Sequence, residues 1–234
     1  MPKYFSLSKK EKQADIVIYG DITSWEFLES DVSSYTLSKM LSELDADAIN
    51  VHINSYGGEV SEGLAIYNAL KNHKAKVTTV CDGFACSAAS VVFMAGCERV
   101  MNPASLLMIH NAWTVAEGNA DELRKQADDL EKISDASKPA YLSAVNISEE
   151  ELTELMDKET WITPDEALDM GFATEIAGKK AKQKASQSAR ESIYRALTRA
   201  SVSDAKEEKN ESKEPELDEL SVWADFFEKL EVTK

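Results

Sequence analysis

Three short segments bring together the residue types that acyl transfer needs. In GFACSAAS, residues 83–90, a glycine leaves one strand, only small residues surround Ser87, and an apolar helical stretch begins at once. Ser87 therefore falls at a helix N-terminus, where unpaired N–H groups and the positive end of the dipole favour developing negative charge. LLMIH, residues 106–110, closes four apolar residues with His110, followed by Asn111 and Trp113. INSYGG, residues 53–58, sets Gly57 and Gly58 directly after a strand, so that backbone N–H groups can turn outward around an anion. Each segment alone has a plainer role: an N-cap, a buried histidine, a turn. Together they supply a hydroxyl nucleophile, a base for its proton and donors for an oxyanion. The conjunction points to a serine hydrolase.

The elements that must position these residues alternate in type. ADIVIYG is a β-branched run ended by Gly20, and residues 31–44 carry Val32, Tyr35, Leu37, Met40, Leu41 and Leu44 in helical rhythm. AINVHIN reads as a second strand, Val60, Leu64, Ile66, Tyr67 and Leu70 as a helix, KVTTVCDG as a third strand and SAASVVFMAG as a helix. MNPASLLMIH supplies a fourth strand, and residues 118–142 and 148–156 further helices. This repetition implies an α/β fold with parallel strands and right-handed crossovers. In such sheets chemistry gathers where strands end and helices begin, which is where all three segments lie.

Composition narrows the function classes. The 234 residues carry 42 acidic and 26 basic side chains, a net charge of −16 that repels phosphate backbones, so nucleic-acid binding is not expected. No apolar run reaches the roughly 20 residues needed to cross a bilayer, and MPKYFSLSKKEKQAD has no signal-type stretch. A cytoplasmic protein with no membrane partner is expected. Cys81, Cys86 and Cys97, without CxxC spacing, read as reduced thiols packed in a core, and His52 and His73 are too scattered for a metal cluster. No metal and no cofactor is expected.

Charge also divides the chain. Residues 1–178 hold the whole excess of −16, residues 179–200 have seven positive charges against one negative, and residues 201–234 have five against eleven. SVSDAKEEKNESKEPELDE lacks the apolar groups that would offset the entropy of ordering. The expected organisation is a globular domain over residues 1–178, a charged and disordered linker over 179–219, and over 220–234 an amphipathic helix with Leu220, Trp223, Phe226, Phe227 and Leu230 on one face.

INSYGGEVSEG, GFACSAAS, MIHNA and ETWITPDEALDMGFATEI, in this order, resemble the Clp protease proteolytic-subunit family over roughly residues 15–178. The resemblance implies a ClpP/crotonase-like α/β spiral of strand–helix repeats, a helix-and-strand handle over residues 118–156 and a ring-type homo-oligomer. The family's Gly-x-Ala-x-Ser segment falls on Gly83, Ala85 and Ser87, which makes Ser87 the nucleophile instead of Ser90. Its Met-Ile-His strand end falls on Met108, Ile109 and His110, the implied general base. The implied oxyanion donors are the N–H groups of Gly57 and Ala88, with Gly58 beside the bound chain. The family's orienting aspartate aligns with Glu159, ahead of Trp161, Thr163 and Glu166-Ala167, and Asp157 is the alternative.

Two departures from the pattern stand out. Tyr56 replaces the usual proline of the glycine turn, and the N-terminal region lacks the family's longer pore-lining extension, so a Clp ATPase partner is not expected. These features, with the charge-split tail, resemble the Clp-related head maturation proteases of tailed bacteriophages, which implies scaffold and capsid proteins as substrates and the host cytoplasm or assembling procapsid as the location. Two readings remain beside it: an ATPase-coupled Clp peptidase subunit, and a catalytically silent capsid-assembly scaffold component. The crotonase-like acyl-CoA enzymes share the spiral, but a serine after one strand and a strand-end histidine are not their chemistry.

Overall fold

The computed structural model describes residues 12–179. Apart from Lys179, the expected linker over 179–219 and helix over 220–234 lie outside the described residues. Strand β1 (Gln13–Ile18), helix α1 (Ser34–Glu43), strand β2 (Ala48–Ser55), helix α2 (Val60–Lys71), strand β3 (Lys76–Cys86) and helix α3 (Ala88–Phe93) follow one another as the hydrophobic periodicity requires. Strands β4 (Glu98–Met101) and β5 (Leu106–Ile109) come next, then helices α4 (Ala120–Leu142) and α5 (Glu149–Asp157), strand β6 (Thr160–Ile162), helix α6 (Pro164–Met170) and strand β7 (Glu175–Ile176). The sheet runs β1-β2-β3-β4-β7 with every neighbour parallel.

Strand β3 is the hinge of this topology. Its first half pairs with β4, Thr78 to Glu98 through Cys81 to Met101, and its last residues pair with β5, Phe84 to Leu106 through Cys86 to Met108. The single strand expected over residues 101–110 is accordingly two strands. Asn102 breaks it by donating its backbone N–H to the Cys81 carbonyl, while its own carbonyl accepts the Ser105 hydroxyl at 2.8 Å. Strand β6 pairs antiparallel with β5, the exception to the parallel rule, and closes the strand end that leads into His110.

One face of the sheet packs on the helices. Ile16, Ile49, Val51, Val77 and Cys81 join Leu37, Leu41, Ile66, Leu70, Val92 and Phe93 in one buried cluster. The residues between them carry polar groups: Asp82 accepts from Tyr19 Oη at 2.7 Å and from Asn102 Nδ2 at 2.9 Å, and lies 2.8 Å from His52 Nδ1. Burial, with Asp82 alongside, pushes the Tyr19 phenol up to about 12. Two of the cysteines are core residues, Cys81 and Cys86, their thiols pushed by burial to about 12 and about 11. Cys97 differs from expectation: it is exposed, because it sits on the turn that leaves α3 rather than on either packed element.

The segment 118–156 also departs from the helix-and-strand expectation, since its ordered elements are α4 and α5 with no strand among them. Helix α4 starts on a capping box between Asn119 and Glu122 and buries only its last turns, through Ser134, Ser137, Ala140 and Tyr141. Leu123 and Ile133 remain exposed, so the apolar spacing marks a helix whose packed face is confined to one end.

Candidate active site

Strand β3 passes into α3 through a single residue, Ser87, with φ 54° and ψ −126°. A non-glycine residue held there costs on the order of 1–3 kcal/mol and persists only where its surroundings over-determine it. They do so here: Ser87 donates its N–H to the Met108 carbonyl at 2.8 Å, and its own carbonyl accepts the N–H of Ser90 at 2.9 Å and the Ser90 hydroxyl at 2.6 Å. Although Ser87 is the N-cap residue of α3, its side chain makes no capping bond. The hydroxyl instead lies 2.7 Å from His110 Nε2. A strand, a strained turn and a helix, with the hydroxyl lifted onto an imidazole, is the arrangement of a nucleophile elbow.

His110 reaches this position from the neighbouring strand. It follows Ile109 at the end of β5, whose partner β3 ends at Cys86, one residue before the serine. The sequence separation of 23 residues collapses because both strands terminate at one edge of the sheet.

The glycine turn lies against the elbow. Gly57 has φ 97°, and a Cβ built on it would stand 2.5 Å from the Cys86 carbonyl oxygen, 2.8 Å from Ser87 Cβ and 2.9 Å from the Ala88 nitrogen. Gly58 has φ 146°, and a Cβ there would strike the Ile22 carbonyl. Gly57→Ala therefore displaces the elbow itself, and a shift of this kind should lower kcat/KM for a peptide by about 10²-fold with the chain still folded. Wild-type turnover in that variant would show the contact to be immaterial.

The assignment of an oxyanion donor to Gly57 needs correction. Its N–H is already given to Ser55 Oγ at 3.0 Å, and Ser55 in turn donates to the Gly20 carbonyl at 2.6 Å. Gly57 is buried and Gly58 exposed, and among the described residues the N–H groups of Gly58 and Ala88 have no acceptor. The turn is braced from outside by Glu59, which accepts from Thr23 Oγ1 at 2.9 Å, Ser24 Oγ at 3.0 Å and the Ser24 N–H at 3.2 Å. The Thr23 bond first, and the Ser24 bonds after it, hold the Glu59 carboxyl below its ordinary pKa.

Neither carboxylate weighed for orienting the imidazole is bonded to it. Asp157 Oδ1 accepts from Asn111 Nδ2 at 2.7 Å, at the edge of a cleft of about 300 Å³ lined also by Glu131, Asp135, Lys138 and Thr153. Asp135 beside Lys138 raises its ammonium pKa, and Glu149 and Asp157 add to the effect. Glu159 is exposed and has a left-handed backbone, φ 49°. The β5–β6 ladder ends with Ile109 paired to Thr160, and His110 and Glu159 are the next residues of the two strands.

Several residues around the site were not singled out in the sequence. Asn111, the residue after His110, donates to Asp157 across 46 positions of chain, a contact that no local motif marks. Phe84 stacks edge-on with Tyr56 and with Trp161, both at 5.5 Å, a row of three aromatic rings from the turn after β2 through β3 to β6. No spacing rule links residues 56, 84 and 161; pairing of the strands does.

The fold has known relatives. The Clp protease family model matches residues 4–180. The chain is 33% identical over 154 residues to the ATP-dependent Clp protease proteolytic subunit of Deinococcus radiodurans, covering 64% of this chain and 76% of that one. It is 31% identical over 166 residues to the same subunit of Bacteroides thetaiotaomicron, covering 66% and 74%. A solved structure of a ClpP1 mutant from Listeria monocytogenes superposes with a TM-score of 0.60 at 26% identity, over 72% of this chain and 92% of that one. The sheet, the helices packed on it and the sequence match over most of residues 12–179 agree, and the chain belongs to the Clp protease family, with its α/β ClpP fold.

Proposed function

We propose that the protein is a serine endopeptidase in which Ser87 attacks a peptide carbonyl, His110 takes the hydroxyl proton and returns it to the leaving amine, and Glu159 orients the imidazole. The oxyanion is held by the N–H groups of Gly58 and Ala88. Water then clears the acyl-enzyme through the same histidine. The 2.7 Å contact between Ser87 Oγ and His110 Nε2 carries this reading, because a serine on a strained turn without a capping bond has no structural use for that hydroxyl. An extended polypeptide lying beside Gly58 matches backbone hydrogen bonding without demanding a sequence. A fluorophosphonate probe should label one residue, and peptide mapping should find it at Ser87; a label elsewhere would refute the assignment.

The biological setting of this reading is phage head maturation, with scaffold and capsid proteins as substrates of a ring-type homo-oligomer. Support comes from Tyr56 in place of the family's proline and from the tail, whose residues 179–200 and 201–234 carry net charges of +6 and −6. The names of the relatives, ATP-dependent Clp protease proteolytic subunits, favour an ATPase-coupled peptidase instead. Cleavage of a scaffold protein without nucleotide supports the first setting. Stimulation of casein degradation by a Clp ATPase and ATP supports the second.

A further inference from the structure

Beneath the elbow lies a pair of buried hydroxyls that the hydrolytic steps do not use. Ser90 is 1% exposed and its hydroxyl donates to the Ser87 carbonyl at 2.6 Å. The same Oγ lies 2.7 Å from Tyr141 Oη. A serine hydroxyl has one proton, so with that proton on the Ser87 carbonyl the second bond must run from the tyrosine to a serine lone pair. The direction of the chain is thereby set: Tyr141 to Ser90 to Ser87. Tyr141 sits in the last turn of α4, 2% exposed, with its ring edge-on to Phe172 at 5.9 Å. Burial pushes its phenol up to about 12, so at neutral pH it carries its proton and can donate.

We propose that Tyr141 is a positioning residue for the nucleophile: its hydroxyl, through Ser90, fixes the Ser87 carbonyl and with it the strained backbone that keeps Oγ on His110. The inference rests on Ser87 being the nucleophile. Hydrogen bonds in series polarise one another, so the tyrosine strengthens the Ser90 bond it does not itself make. Neither hydroxyl touches substrate. Without the Ser90 hydroxyl the Ser87 carbonyl keeps only the N–H groups of Ser90 at 2.9 Å and Val91 at 3.4 Å, so a residue strained at φ 54° gains room to rotate and its hydroxyl to drift from the imidazole.

Tyr141→Phe keeps the ring on Phe172 and removes only the donor. Its kcat for a fluorogenic peptide, per site titrated with a fluorophosphonate, should fall about tenfold, KM should hold within twofold, and the labelling rate constant should fall in step with kcat. Ser90→Ala should fall at least as far, and Tyr141→Phe in the Ser90→Ala background should add nothing, because the relay is already broken. Titration counts only competent sites, so partial unfolding does not mimic the effect. An unchanged kcat and labelling rate in Tyr141→Phe, losses that multiply in the double variant, or a loss carried by KM overturns the positioning role. Failure of the underlying reading looks different: the wild-type protein would then not label at Ser87.

Discussion

Ser87→Ala should lower kcat for peptide hydrolysis by about 10⁶-fold, and His110→Ala by nearly as much, while the two together should cost no more than either alone. Groups that act as one unit fail as one unit: an unactivated hydroxyl is a poor nucleophile, and an imidazole with no hydroxyl to deprotonate has no task. The expectation stands on the 2.7 Å contact across the β3 and β5 ends. It also stands on the conformation of Ser87, which nothing but the fixed approach to His110 turns to use. Steady-state assays on a fluorogenic peptide, with circular dichroism to show that the variants are folded, measure it. Either single variant retaining activity within tenfold of wild type would remove the pair from the mechanism.

Glu159→Gln should lower kcat by about 10³- to 10⁴-fold, and Asp157→Asn by less than about tenfold. The separation follows from where each carboxylate stands. Asp157 is already engaged by Asn111. Glu159 stands one residue beyond the last pair of the β5–β6 ladder, as His110 does on the other strand, and its carboxylate accepts no hydrogen bond among the described residues. The extra methylene of a glutamate lengthens its reach toward the ring, and its left-handed backbone is a conformation that a long side chain rarely adopts without a local demand. Catalytic hydrogen bonds commonly tighten only when substrate is bound, so an open Glu159 is compatible with this role. Glu159→Asp, which restores the residue type of the family pattern, should keep most of the activity. If Asp157→Asn proves the more damaging change, the orienting acid is Asp157 acting past Asn111, and the ladder argument fails.

Residue types and their order determined much of this protein. The alternation of β-branched runs with amphipathic segments set a parallel α/β sheet, and Ser87, His110 and the glycine pair stood out because nucleophile, base and backbone donors each fell where a strand ended. What the order of residues left open was settled by which strand ends meet. Two donors in adjacent glycines look alike as a dipeptide, and only the Ser55 hydroxyl, folded back onto Gly57, separates the spent N–H from the available one. The stretch over residues 101–110 divides into two strands because Asn102 ties back to Cys81 and each half of β3 takes its own parallel partner. Ser90 and Tyr141 are 51 residues apart and carry no shared motif, yet burial of both leaves the tyrosine hydroxyl the Ser90 oxygen as its partner. Periodicity encodes which face of an element is buried, whereas contacts between elements depend on register and on the close approach of backbones, and those arise only when the whole sheet is assembled.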